Sequence, residues 1–388
     1  MIKNELYLSM DYKYIDFILI INVEGMHFQP HKPEGIEFKV DSEDNLRFVL
    51  RPKDPEEDAC GHRLGLECKV YKSYPASDKQ VKFVTAFNKH RKMINVSDEI
   101  TLPFKPNDEI LISEDGICAD RFSPRRDLLP TYILEIIESV ELELNKHADR
   151  FFKLLRWRQF CDAPGEVLKS SSLYWRVGEG EYPITPLDGG TSNVSTVNGM
   201  FGIHWSERHK NDMQNLWLNE GLTEPLGHTL LREAATLSQE SPRSSILMIT
   251  AALETAVKTH ISKIVPDAKW LMEKSPAPPI DKILRQYIPL LHKNKSGKIN
   301  FWKKLNPEIN KVEKLIVIRN KIAHTGKLPE ITKPVQNYIE LVSDFLYIID
   351  VLDGHEWAKS LVGYELRKSL DWPNPIDKRI KIKISQGY

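Results

Sequence analysis

The chain has 388 residues, 41% hydrophobic and 28% charged, an ordinary globular composition with room for two or three domains. Its 54 Lys and Arg balance 54 Asp and Glu, yet residues 225–388 hold 26 basic against 17 acidic side chains and residues 1–224 hold 28 against 37. Four cysteines (Cys60, Cys68, Cys118 and Cys161) are too few for a disulfide scaffold, and the early apolar run Phe17–Val23 is too short to cross a bilayer. With no signal peptide visible at the N-terminus, the expectation is a cytoplasmic protein with reduced thiols and no membrane contact.

Residues 1–128 read as a β-rich module. Ile15–Val23, Ile36–Val40, Leu46–Leu50, Leu64–Val70, Val81–Phe87 and Glu109–Ile112 are short apolar or alternating runs. Proline and glycine clusters, such as Pro30–Pro33 and Pro103–Asn107, separate them. Residues 129–224 form a connecting region. A long helix is expected at about Leu129–Cys161, followed by strands flanking the turn Gly178-Glu179-Gly180. The stretch Asp188–Asn198, rich in Gly, Ser, Thr and Asn, reads as a loop.

Residues 225–372 read as a helical bundle. One helix covers Leu226–Gln239. Ser241 caps a second that starts at Pro242 and runs to about Ile264. A third is expected at Ile280–His292, then a basic loop Lys293–Lys298, a helix at about 306–324, another at Lys333–Leu352 and a short one at 356–370. A basic tail, 373–388, closes the chain. The fold class is therefore α+β, a β-rich module followed by an all-α bundle.

The helix at 306–324 carries the most distinctive residues. Asn306 can cap it, Pro307 suits its first position, Gly326 supplies a left-handed stop and Pro329 bars continuation. Ile309, Val312, Leu315, Ile316, Ile318, Ile322 and Ala323 cover one arc of its wheel, and Arg319 falls inside that arc. A guanidinium aimed at an apolar surface needs a partner or a phosphate, because an unpaired buried charge is costly. Asn320 and His324, four residues apart, share a face at the edge of the arc.

Arg319, Asn320 directly after it and His324 five residues on, closing a helix within a bundle, resemble the motif of the HEPN ribonuclease superfamily. The resemblance covers the last two-fifths of the chain. It implies a homodimer in which two Arg–His motifs meet in one cleft, and an endoribonuclease that needs no metal or other cofactor. The RNA 2′-OH would attack its own phosphate and leave a 2′,3′-cyclic phosphate. His324 then moves protons, Arg319 faces the phosphate and Asn320 orients the site. On one helix Arg319 and His324 lie about 140° apart, so a site built from two chains suits them better than a single one. The resemblance also implies a toxin or anti-phage defence role, with an activating ligand or an antitoxin received by the N-terminal module. The competing reading is a non-catalytic HEPN module that dimerises or binds RNA without cutting it.

Glu254, at the edge of the apolar arc of the second helix, is the candidate to hold Arg319 or polarise His324, and also reads as a structural ion pair. Arg243 lies on the same stripe. With Lys314, Lys321 and Lys327 it forms the expected RNA-backbone contacts. His260 reads as a hydrogen-bonded, partly buried histidine. Cys60-Gly61-His62 with Cys68, and Cys118 or His90, has a faint zinc-ligand pattern without a Cys-x2-Cys knuckle. Buried reduced cysteines are the better reading, and no metal is expected. Trp157, Trp175, Trp205 and Trp217 read as core.

Overall fold

A computed structural model describes residues 14–24, 26–29, 35–40, 46–52, 65–90, 126, 129–159, 171–179, 182, 185, 201–204, 206–274, 278–292, 301–331 and 333–372. The architecture is α+β, with the sheet in the N-terminal part and helices dominating the C-terminal part. The chain forms two compact units. The first comprises residues 1–155 and 166–222, the second residues 156–165 and 223–388. The region 129–224 is thus shared out, and most of it joins the first unit.

In the first unit β1 (Tyr14–Glu24), β3 (Ile36–Lys39), β4 (Arg47–Pro52), β5 (Gly65–Pro75) and β6 (Ser171–Arg176) form an antiparallel sheet in the order β3-β4-β5-β1-β6. Strands β2 (Met26–Gln29) and β7 (Phe201–His204) pair in parallel. Alternation decides the sheet's buried face: Ile15, Phe17, Leu19 and Ile21 meet Cys68, Val70, Phe48 and Leu50, all essentially inaccessible. The long helix α2 (Thr131–Gln159) supplies Phe151, which stacks on Phe48 at 4.4 Å. Burial pushes the Cys68 thiol far above its usual range, so it behaves as a small apolar group. Helix α3 (Glu207–Leu218) ends on a cation. The Arg150 guanidinium donates to the carbonyls of Trp217, Asn219 and Leu222.

One expected strand is a helix. Val81–Phe87 lies in α1 (Asp78–His90), not in a strand. Its alternating residues Val81, Phe83 and Phe87 imitate a strand, but Phe83, Val84 and Phe87 make a buried helical stripe, and Phe87 meets Trp175 at 5.5 Å. The deciding signal is a capping box. The Ser77 Oγ accepts from the Gln80 amide, and the Gln80 side chain accepts from the Ser77 amide. The strand expected at Glu109–Ile112 and the loop 188–198 lie outside the described residues, as do Cys60, His62, Cys118, Cys161 and Trp205.

The second unit is helical. Helix α4 (Leu226–Leu237) and α5 (Pro242–Ile264) form a hairpin, as their apolar periodicity predicts. Gly227 is what lets them close: a Cβ there would meet the Ala252 carbonyl at 3.0 Å and the Ala256 Cβ at 3.1 Å. Ser241 precedes Pro242 as expected, but its hydroxyl donates to Ser244 Oγ and caps no amide. After the short α6 (Lys269–Lys274), the expected third helix appears as α7 (Ile280–Lys282), a π-helical turn over Ile283–Tyr287 and α8 (Ile288–Leu291). The Ile288 amide reaches back to Ile283. Pro289 has no N–H to continue that pattern onto Leu284, whose carbonyl accepts from Trp302 Nε1 at 2.7 Å instead.

Helix α9 (Asn306–Thr325) carries the motif. Helix α10 (Val335–Leu352) is the core of this unit, buried on nearly every face, and α11 (Tyr364–Ser369) lies near the end of the described chain. A polar cluster sits inside. Asp350 accepts from Trp157 Nε1 at 2.8 Å and lies 2.9 Å from His228 Nε2, both nearly inaccessible. His260 is fully buried between Asp353 (2.5 Å) and His292 (3.0 Å), so it is hydrogen-bonded as expected and more enclosed than expected. Trp157, Trp175 and Trp217 are core residues.

Candidate active site

Periodicity alone places α9. Ile309, Val312, Leu315 and Ile322 are buried at helical spacing. Its start differs from expectation. Asn306 is already helical, Leu305 is the residue before it, and no side chain caps the first turn. A preceding 3-10 turn, Trp302–Leu305, feeds directly into the helix and leaves the Asn306 side chain no capping role. The stop is as expected: Gly326 takes φ +67° and its amide bonds the Ile322 carbonyl at 2.8 Å. The arc is narrower than the wheel suggests, because Ile316 and Ile318 are only half-buried and Ala323 is exposed.

Arg319 lies within that arc by helical position, yet 23% of its side chain is exposed. Its Nη2 donates to Glu254 Oε2 at 3.2 Å and its Nη1 to Asn320 Oδ1 at 3.1 Å. Of the two partners the sequence left open for Glu254, the ion pair is therefore with Arg319. Glu254 is 15% exposed, and its other oxygen, Oε1, lies 2.7 Å from Lys258 Nζ one turn further along α5. One carboxylate thus bridges two cations from two helices. Lys258 is the member that sequence reasoning missed, although an acid four residues ahead of a lysine on a helix is a visible signal.

Asn320 and His324 are exposed on the side of α9 away from its buried stripe. Asn320 is held by Arg319. Among the described residues the His324 ring has no hydrogen-bond partner, which leaves both nitrogens available to solvent or a ligand. Lys314, Lys321 and Lys327 are exposed. Arg243 is exposed too. Its Nη1 donates to the Gly326 carbonyl at 2.9 Å, closing the turn that follows His324. The Thr325 hydroxyl donates to the Lys321 carbonyl at 2.6 Å and tightens the same turn. The structure therefore brings Arg319, Asn320, Glu254 and Lys258 into one bonded set, with Arg243 bonded separately to the turn after His324 and His324 exposed on another face of α9.

Among the described residues no group of three or more His, Cys, Asp or Glu is placed to hold a metal ion. No helix there is long and apolar enough to cross a membrane. No family model, curated protein or solved structure matches this chain.

Proposed function

We propose that the second unit is an endoribonuclease of the HEPN type, acting without metal as a homodimer in a toxin or anti-phage role. The observation that carries the reading is the fixed guanidinium of Arg319 and, five residues further along the same helix, an exposed His324 with no hydrogen-bond partner among the described residues. Cleavage by the RNA's own 2′-OH needs those two groups. The 2′-oxygen bonds to phosphorus while the bond to the 5′-oxygen breaks, giving a 2′,3′-cyclic phosphate and a 5′-OH. A base must take the 2′-OH proton and an acid must protonate the leaving oxygen. An imidazole, which can accept or donate a proton at its ring nitrogens, does either task. Two copies of His324 in a dimer cleft supply both. Arg319 offers planar donors against the charge that grows on the phosphorane, and Glu254 and Asn320 fix its plane. Lys314, Lys321 and Lys327 follow the backbone on either side. The N-terminal unit then receives an activating ligand or an antitoxin.

The non-catalytic reading rests on a specific observation too: Glu254 already neutralises Arg319, as a structural ion pair would. Purified protein incubated with total RNA in EDTA separates the two. New ends bearing 2′,3′-cyclic phosphates, absent with His324→Ala, are the result expected of the nuclease. Equal cleavage by His324→Ala overturns it, and RNA retention without new ends favours the binding module.

A further inference from the structure

Among the described residues, the Arg319 guanidinium and the Lys258 ammonium share the Glu254 carboxylate. The three side chains are 23%, 15% and 20% exposed, so the charges are only partly screened. The carboxylate gives a different oxygen to each cation, at 3.2 Å to Arg319 and 2.7 Å to Lys258. The two bonds differ in kind. Glu254 and Lys258 are on one helix, four residues apart, so their bond is local to α5. The Arg319 bond joins α5 to α9 and is the longer of the two.

We propose that Arg319 is an anion site occupied at rest by the protein's own carboxylate, and that Lys258 is the positioning residue that keeps Glu254 when a phosphate takes the guanidinium. The exchange replaces one oxyanion partner of Arg319 by another and breaks no covalent bond. Lys258 makes it possible, because a partly buried carboxylate released from its only cation would be left uncompensated. With Lys258 present, Glu254 keeps a charge-assisted bond throughout, and the guanidinium is left open to an incoming phosphodiester. Asn320 stays the neutral partner of Nη1. The site therefore prefers anions that make two strong acceptor bonds at once, which a phosphate does and chloride does not. The inference rests on reading Arg319 as the phosphate ligand, though not on cleavage.

The test is a thermal titration of the full-length protein with inorganic phosphate, at ionic strength held constant with sodium chloride. Wild type gains melting temperature in a saturable way, and Arg319→Gln shows no such gain. Glu254→Gln, which removes the competing charge but keeps the shape, half-saturates at about fivefold lower phosphate, the size expected for losing one partly exposed ion pair. Lys258→Met tightens Glu254 onto Arg319 and half-saturates at about fivefold higher phosphate by the same measure, while Lys258→Arg restores the wild-type value. An unchanged midpoint in both Glu254→Gln and Lys258→Met, or a phosphate response that survives Arg319→Gln, overturns the exchange. The two readings fail separately. A phosphate series as expected with no RNA cleavage sinks the nuclease and keeps the anion site, whereas cleavage with flat phosphate midpoints does the opposite.

Discussion

Arg319 on α9 and Glu254 on α5, 65 residues apart in the chain, meet at 3.2 Å on the packed side of α9. The pair fixes the one cation that the helix pattern places where an apolar residue belongs. His324, a turn further on, is exposed and has no hydrogen-bond partner among the described residues.

That division of labour predicts a separation of activity from stability. His324→Ala lowers RNA cleavage by about 10²–10⁴-fold, the usual worth of a positioned acid or base. Its unfolding free energy stays within about 0.5 kcal/mol of wild type, because the side chain lost is an exposed one. Cleavage assayed on the same preparations used for urea melts checks both halves.

The turn after His324 has its own energetics. Gly326→Ala forces a Cβ into φ +67° with no steric neighbour within 4 Å, so the cost is conformational alone, about 1 kcal/mol. Arg243→Met removes the donor to the Gly326 carbonyl and costs about 0.5–1.5 kcal/mol. Amide exchange should quicken at Thr325 and Gly326 in both variants while α10 stays protected, which hydrogen-exchange mass spectrometry reads directly.

Deep in the same unit, Asp350 is the shared acceptor for Trp157 and His228. Asp350→Ala strands two buried polar groups and should destabilise by about 3 kcal/mol or more. Equilibrium denaturation followed by tryptophan fluorescence measures it, and a loss below 1 kcal/mol contradicts the account.

Asp344 gives a pH dependence of defined sign. Burial, reinforced by Glu308 and Glu340, pushes its carboxyl up to about 6, although the Gly363 amide bonds it at 2.6 Å. A carboxyl that holds its proton more tightly when folded favours the fold at low pH. Its ionisation therefore lowers stability progressively as pH rises from about 4 to above 6. Asp344→Asn keeps an acceptor for Gly363 and should remove this loss, gaining on the order of 1 kcal/mol at pH 8 and little at pH 4. Melting temperatures across that range decide it.

The helices of the second unit were legible because their signals are local. Apolar spacing, Pro307 and Gly326 place α9 to within a residue or so of its ends. The strand expected at Val81–Phe87 shows the limit. A short alternating run also fits a helical stripe, and the Ser77–Gln80 capping box decided between them. Ala323 shows another limit, since a wheel gives direction but not which neighbour arrives to cover it. The HEPN reading remains a proposal resting on Arg319, Asn320 and His324.

Sequence by itself determined where α9 and α5 run, that Arg319 lies on the side meant for packing, and that Glu254 flanks the matching stripe. Those follow from the helical repeat, which each segment carries alone. Only the tertiary structure decided that Glu254 takes Arg319 and not His324, that Lys258 shares the carboxylate, and that Arg243 bonds the Gly326 carbonyl. Such choices depend on the offset and rotation between two packed helices. These are set by the side-chain volumes of α4, α5, α9 and α10 together, and no single helix records them.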